Sequence, residues 1–224
     1  MKRKVVMAWS GGKDSALALW RLQNNHMFQV EGLLTTINRH YDRVSIHGVR
    51  RMLLRAQAES LGLKLLEVTL PQHAEDEVYA RAMNNAMDFL LERGVETVAF
   101  GDILLEDVRL YRERMLSGKN MRAEFPLWRE NTTEMSREII NCGFRSVVVC
   151  VDQERMPVDM LGRVYDESFL DDLPPEVDAC GENGEFHTFT VQGPNFRHDV
   201  PVMLGPRVEH DNLSYVDMTP VARG

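Results

Sequence analysis

The chain has 224 residues, 44% of them apolar, and a formal net charge of −8. That length suits one large domain, or one domain with a smaller appendage, and the acidic balance argues against nucleic acid or a membrane surface as partner. No apolar run reaches membrane-spanning length, and the opening Met1 to Lys4 with five mostly apolar residues is too short for a signal peptide. Cys142, Cys150 and Cys180 include no Cys-x-x-Cys pair, so free thiols in a cytoplasmic protein are expected. The histidines lack metal-ligand spacing, and no structural zinc site is expected.

Residues 5–9 form an apolar run behind Lys2, Arg3 and Lys4, which predicts a buried strand. Ser10-Gly11-Gly12-Lys13-Asp14-Ser15 follows, and residues 16–22 are strong helix formers. Strand, glycine-rich turn and helix is the geometry that cradles phosphate. Gly11 and Gly12 admit close backbone approach, and the helix start offers free N–H groups and a favourable dipole. Lys13 is expected as a mobile, solvent-facing cation, Ser15 as a hydroxyl donor, and Asp14 as a Mg²⁺ or nucleotide contact. The turn is not a Walker A loop, which needs four residues between its glycines.

Further along, the pattern predicts strands over 30–37, 63–70, 95–100 and 146–151, and a polar loop over 38–45. Helices are expected over 49–60, with Met52, Leu53, Ala56 and Leu61 inward, and over 75–93, with Val78, Ala82, Ala86, Phe89 and Leu90 inward. A helix over 104–117 is expected to bury Leu104, Val108, Tyr111 and Met115, leaving Arg109, Arg112 and Arg114 on an ion-paired face. Residues 121–128 predict a short strand and turn. Asn131 with Glu134 marks a helix start, with Met135, Ile139 and Cys142 inward. Beyond the Asp171 to Pro175 break come strands over 186–191 and around Val202 and Tyr215.

Strands alternating with helices predict an α/β, doubly wound, mostly parallel sheet with a smaller C-terminal α+β subdomain, divided 1–128 and 129–224. Ligands of such sheets sit beyond the strands' carboxyl ends, which draws Ser10 to Ser15, Thr35, the start of the loop after Leu70, and Gly101-Asp102 to one rim. Asp102 joins Asp14 as a candidate metal or ribose contact. The stretch Gly181-Glu182-Asn183-Gly184-Glu185-Phe186-His187-Thr188-Phe189 fits a hairpin turn equally well by its own chemistry.

The hexapeptide Ser10 to Ser15 resembles the signature of PP-loop, or N-type, ATP pyrophosphatases. Over nearly its whole length the chain resembles the diphthine–ammonia ligase family within that superfamily. The matching residues are Ser10 to Ser15; His47, Gln57, Ala58 and Gly62; Pro126 and Trp128; Leu161-Gly162-Arg163; Asp166-Glu167-Ser168; and Gly181 to Phe189. In the last motif Asn183 stands for a glycine and His187 for a glutamate, which implies a variant branch with a changed acceptor.

The resemblance implies a ligase that uses ATP and Mg²⁺ to adenylate a carboxylate on a small molecule or protein, diphthine on elongation factor 2 in the family. Ammonia or an amine then attacks. Ser10, Gly11, Gly12, Lys13, Asp14, Ser15, Thr35, Gly101 and Asp102 become the nucleotide side. His47, Gly181, Glu182, Asn183, Gly184 and Glu185 become the acceptor side. Lys13, Asp14, Glu182, Glu185 and His187 are the catalytic candidates, with His187 taking a proton from the attacking nitrogen. A homodimer is left open. The rival reading is a non-catalytic ATP-binding sensor or stress module on a related fold. A thiolating RNA-modification enzyme would want paired cysteines and a basic face, and a sulfonucleotide reductase a different setting for Cys180.

Overall fold

Alternation decides the first strand: Val5 and Met7 enter one apolar cluster and Val6 the other, on opposite faces of a sheet. The computed structural model describes residues 1–44, 48–71 and 75–221. Its first part runs β1 (Arg3–Ala8), α1 (Lys13–Asn24), β2 (Phe28–Asn38), β3 (Arg43–Val44), α2 (Arg51–Leu61), β4 (Lys64–Leu70), α3 (Asp76–Leu91), β5 (Thr97–Ala99), α4 (Glu106–Ser117) and β6 (Arg122–Glu124). Among the described residues, the parallel strands lie in the order β4-β2-β1-β5-β6. The chain builds outward from β1 through β2 and β4, then crosses to the other side of β1 for β5 and β6. The reversal lies between β1 and β5, where a doubly wound sheet opens a crevice. The polar 38–45 stretch is not all loop, because β3 pairs antiparallel with the end of β2.

The second part holds α5 (Thr132–Asn141), β7 (Arg145–Asp152), α6 (Glu167–Asp171), β8 (Phe186–Gln192), β9 (Val202–His210) and β10 (Leu213–Pro220). The four strands form an antiparallel sheet in the order β8-β7-β10-β9. Asn131 caps α5 by accepting from the Thr133 and Glu134 amides, as the sequence suggests. Asp166 caps α6 in the same way, accepting from Phe169 N at 2.9 Å. The Asp-Glu-Ser motif therefore has a capping role here.

One apolar cluster joins Met7, Leu17, Leu53 and Ile139 to Val149, Phe186 and Phe189, so the second sheet shares a core with α1 and α2. The other cluster packs Met83, Met87, Leu90 and Leu116 onto the opposite face. Several expected inward positions are corrected by this packing. Met52, Val78, Phe89, Leu104 and Tyr111 are exposed. On α3 the stripe that meets the sheet is Met83, Ala86, Met87 and Leu90, while Arg93 covers the outward Phe89 ring at 3.5 Å. On α4 only Leu116 is fully buried, because the short strands β5 and β6 give the helix little to cover.

Candidate active site

The turn after β1 enters the crevice as the sheet order requires. Gly12 is the N-cap of α1 and Lys13 its first residue. Gly101, at the end of β5, faces this turn: a Cβ there would lie 3.2 Å from Asp14 C and Ser15 N. Hydroxyls gather at the helix head. Ser10 Oγ donates to Ser15 Oγ at 3.2 Å, Ser15 Oγ to the Gly12 carbonyl at 2.9 Å, and Gly12 N to Ser10 Oγ at 3.3 Å. Thr35 is buried in the carboxyl half of β2.

The loop glycines meet protein as much as open space. Gly11 has φ +83°, and a Cβ on it would strike Leu54 at 2.7 Å and Gln57 Oε1 at 2.8 Å. Gly12 packs against the Thr188 carbonyl on β8, at 3.1 Å from its ideal Cβ. Thr188 Oγ1 accepts from Lys13 N at 3.1 Å, and Thr190 N donates to Gly11 O at 2.9 Å. The second sheet thus clamps the turn through main-chain atoms and one hydroxyl.

Lys13 corrects the expectation of a mobile, solvent-facing cation: it is 1% exposed. Nζ donates to Asp14 Oδ2 at 3.0 Å and to the Cys180 carbonyl, between the Tyr165 and Phe186 rings at 5.4 and 5.1 Å. The second half of the chain folds over the amine, and a carbonyl and two ring faces replace its water. Burial is the largest influence and opposes the charge, but Asp14, Cys180 and Asp178 together outweigh it and raise the Lys13 pKa. Asp14 Oδ1 is buried and has no hydrogen-bond partner among the described residues.

Asp102 is engaged by Arg112, whose Nη2 donates to Oδ1 at 3.1 Å and whose guanidinium lies 4.4 Å from the Phe100 ring centre. Arg109 pairs with Glu113 at 2.8 Å and covers the Trp128 ring at 4.6 Å. The ion-paired face expected for this helix is present only in part: Arg109 pairs along it, Arg112 pairs off it, and Arg114 Nε donates to the Leu110 carbonyl at 3.2 Å. His47 lies outside the described residues.

The Gly181 to Phe189 motif arrives at the same crevice. Asp178, which the sequence reading passed over, ties its start: Oδ1 accepts from Cys180 N at 2.8 Å and Glu182 N at 3.2 Å, and Oδ2 from Thr132 Oγ1 at 2.6 Å. Gly181 (φ +69°) makes the turn, and a Cβ on it would strike the Phe186 carbonyl at 2.8 Å. Glu182 Oε1 accepts from Leu104 N at 2.8 Å and Ile103 N at 3.2 Å, so this carboxylate bridges to the rim beyond β5. Burial pushes the Glu182 pKa up against those two amides.

Glu185 ties the turn of this loop together. It is buried, and its oxygens accept from Asn183 N at 2.9 Å, Asn183 Nδ2 at 3.0 Å and Asp178 N at 3.3 Å. Through these hydrogen bonds its carboxylate folds the loop. Asn183 is exposed at the turn beside Gly184, with its amide turned back to Glu185. Burial, with Lys13 adding, lowers the His187 pKa to about 4, so its ring is neutral at pH 7. Burial likewise pushes the Cys180 thiol up to about 12.

Thr188, Gln57 and Asp178 hold the site together, and spacing alone does not mark them. Thr188 and Gln57 do fall inside the motifs that carry the family resemblance.

Two family models match this chain in succession. Residues 3–123 match the diphthamide synthase N-terminal domain, and residues 131–221 match the diphthamide synthase C-terminal domain. The Homo sapiens diphthine–ammonia ligase is 25% identical over 228 residues, covering 92% of this chain and 85% of that protein. The Danio rerio diphthine–ammonia ligase is 24% identical over 232 residues, covering 95% and 91%. With both domains matched in order along one chain, the protein belongs to the diphthamide synthase family, that of the diphthine–ammonia ligases.

Proposed function

We propose that the protein is an ATP-dependent amide ligase that works through an acyl-adenylate. An acceptor carboxylate oxygen attacks the α-phosphorus of ATP, the bond to the β-phosphate oxygen breaks, and pyrophosphate leaves. Ammonia or an amine then attacks the activated carbonyl carbon, and AMP leaves with the amide formed. The curated relatives are named for diphthine and ammonia, which makes diphthine the first acceptor to try.

The observation that carries this reading is the convergence of two chain segments. The anion-type turn at the head of α1 lies in the crevice, and Glu182 from the distant motif hydrogen-bonds the rim at Ile103 and Leu104. A nucleotide-only module has no need of that second segment. Lys13 supplies fixed positive charge beside the turn, and the α1 dipole adds to it. Asp14 Oδ1, buried and without a hydrogen-bond partner among the described residues, suits a Mg²⁺ whose remaining ligands would come from phosphate oxygens and water. When bound, that ion neutralises the triphosphate. Glu182, with its pKa raised, is better matched than His187 to accept the proton of the attacking nitrogen.

Isotope exchange tests the first half-reaction. With ATP, Mg²⁺ and diphthine-bearing elongation factor 2, but no ammonia, labelled pyrophosphate should enter ATP. Exchange that proceeds equally without any acceptor contradicts the proposed order. No exchange with acceptor present removes the adenylate.

A further inference from the structure

Gln57 has no surface at all: it is 0% exposed, yet its side chain is an amide. All of its hydrogen-bonding groups are engaged. Nε2 donates to the Gly11 carbonyl at 2.9 Å and to the Thr190 carbonyl at 2.6 Å, and Oε1 accepts from Trp9 Nε1 at 2.9 Å. A single side chain on α2 therefore reaches the residue after β1, the turn itself, and β8.

The turn has two peptide units between Gly11 and Lys13, and they point in different directions. The unit joining Gly12 to Lys13 turns its N–H toward β8, where Thr188 Oγ1 receives it. The unit joining Gly11 to Gly12 turns its carbonyl inward, onto Gln57 Nε2 and Thr190 N. A trans peptide is planar with C=O and N–H opposed. Pinning the Gly11 carbonyl inward therefore turns the Gly12 N–H outward, to the head of α1 where the Ser10 and Ser15 hydroxyls gather. The opposite rotation would aim a carbonyl oxygen at any bound phosphate. Both residues are glycines, so the backbone itself resists that rotation little. An external restraint is needed.

We propose that Gln57 is the positioning residue that fixes the Gly11–Gly12 peptide for phosphate, and that through Thr190 it registers β8 against the turn. It touches neither nucleotide nor acceptor. The inference rests on the ATP-binding reading above and adds the restraint that makes the turn an anion site. Its amide also favours glycine at position 11, since a Cβ there would meet Gln57 Oε1 at 2.8 Å.

The test compares variants by ATP calorimetry and by the amide resonance of Gly12 in ¹⁵N-labelled protein. Gln57→Met keeps the length and removes both donors. Its dissociation constant for ATP should rise by about tenfold or more, the scale expected when a restraint worth one hydrogen bond is lost. Its Gly12 amide signal should move in the free protein. Ile139→Ala, a fully buried change on α5, serves as the stability control. It should lower the melting temperature while leaving ATP affinity and the Gly12 signal alone. Trp9→Phe removes the bond that steadies Gln57 together with some buried ring volume, whose effect Ile139→Ala controls for; it should shift both readouts in the same direction by less, and it carries the test if Gln57→Met does not fold. Wild-type ATP affinity in folded Gln57→Met, or an equal loss in Ile139→Ala, overturns the proposal. An unmutated protein that does not bind ATP overturns the reading beneath it instead, and a Gly12 signal that still responds to Gln57→Met separates that failure from this one.

Discussion

Lys13 is the residue whose setting most changes what mutation should do. Its ammonium is enclosed by Asp14, the Cys180 carbonyl and two aromatic rings. Lys13→Ala should therefore abolish turnover and also destabilise the fold, by about 2–3 kcal/mol, because a partly buried carboxylate and a carbonyl lose their partner. Urea unfolding measures the second effect; unchanged stability contradicts the enclosure. His187 titrates at about 4 when folded and about 6.5 when unfolded. A base with a lowered folded pKa contributes stability above the unfolded value, and that contribution drains away as pH falls from about 6.5 to about 4. His187→Gln should remove about 2 kcal/mol of that dependence, read from unfolding at pH 7 and pH 4. Cys180 needs no such care. Its thiol, held protonated by burial, is expected to be dispensable, and Cys180→Ser should keep wild-type turnover. Lost turnover with ATP binding intact would give the thiol a chemical role.

At the scale of elements, two latches join the halves of the chain. One is Asp217 on β10, which accepts from Arg50 Nη2 at 2.6 Å and Arg43 Nη2 at 2.8 Å. The Arg50 hydrogen bonds, with Arg43 adding, hold its pKa at about 2 against an ordinary 3.8. A carboxylate with a lowered folded pKa stabilises above the unfolded value, and its contribution fades from about pH 4 to about pH 2. Asp217→Asn should cost about 1–2 kcal/mol at pH 7 and much less at pH 2, where the carboxylate is half protonated, after discounting for the partly exposed arginines. Equal losses at both pH values contradict the ion pair. The other latch is the loop 178–185, where the Cys180 carbonyl accepts from Lys13 Nζ and Glu182 Oε1 accepts from the Ile103 and Leu104 amides. Helices and strands were largely legible in the sequence because periodicity and caps report them locally: Asn131 and the 146–151 run each mark an observed element. The inward faces of α3 and α4 were less legible, since which stripe is covered depends on how far the sheet extends. The burial of Lys13 was not legible at all. It depends on a loop some 167 positions away, and no local pattern carries that contact.

On the scale of the whole molecule, the glycine-rich turn and the distant motif come together in space. The doubly wound order opens a crevice between β1 and β5, and the antiparallel sheet brings β8 and Glu182 to it. The shared apolar core makes that meeting a property of the fold. The central claim is that this closed site splits ATP between its α- and β-phosphates to form an amide. The most direct measurement is nucleotide chromatography after incubation with ATP, Mg²⁺, ammonium and diphthine-bearing elongation factor 2. AMP and pyrophosphate should appear together, one for each amide formed, and neither should appear with Lys13→Ala. ADP and phosphate, or ATP recovered bound and intact, would contradict the account.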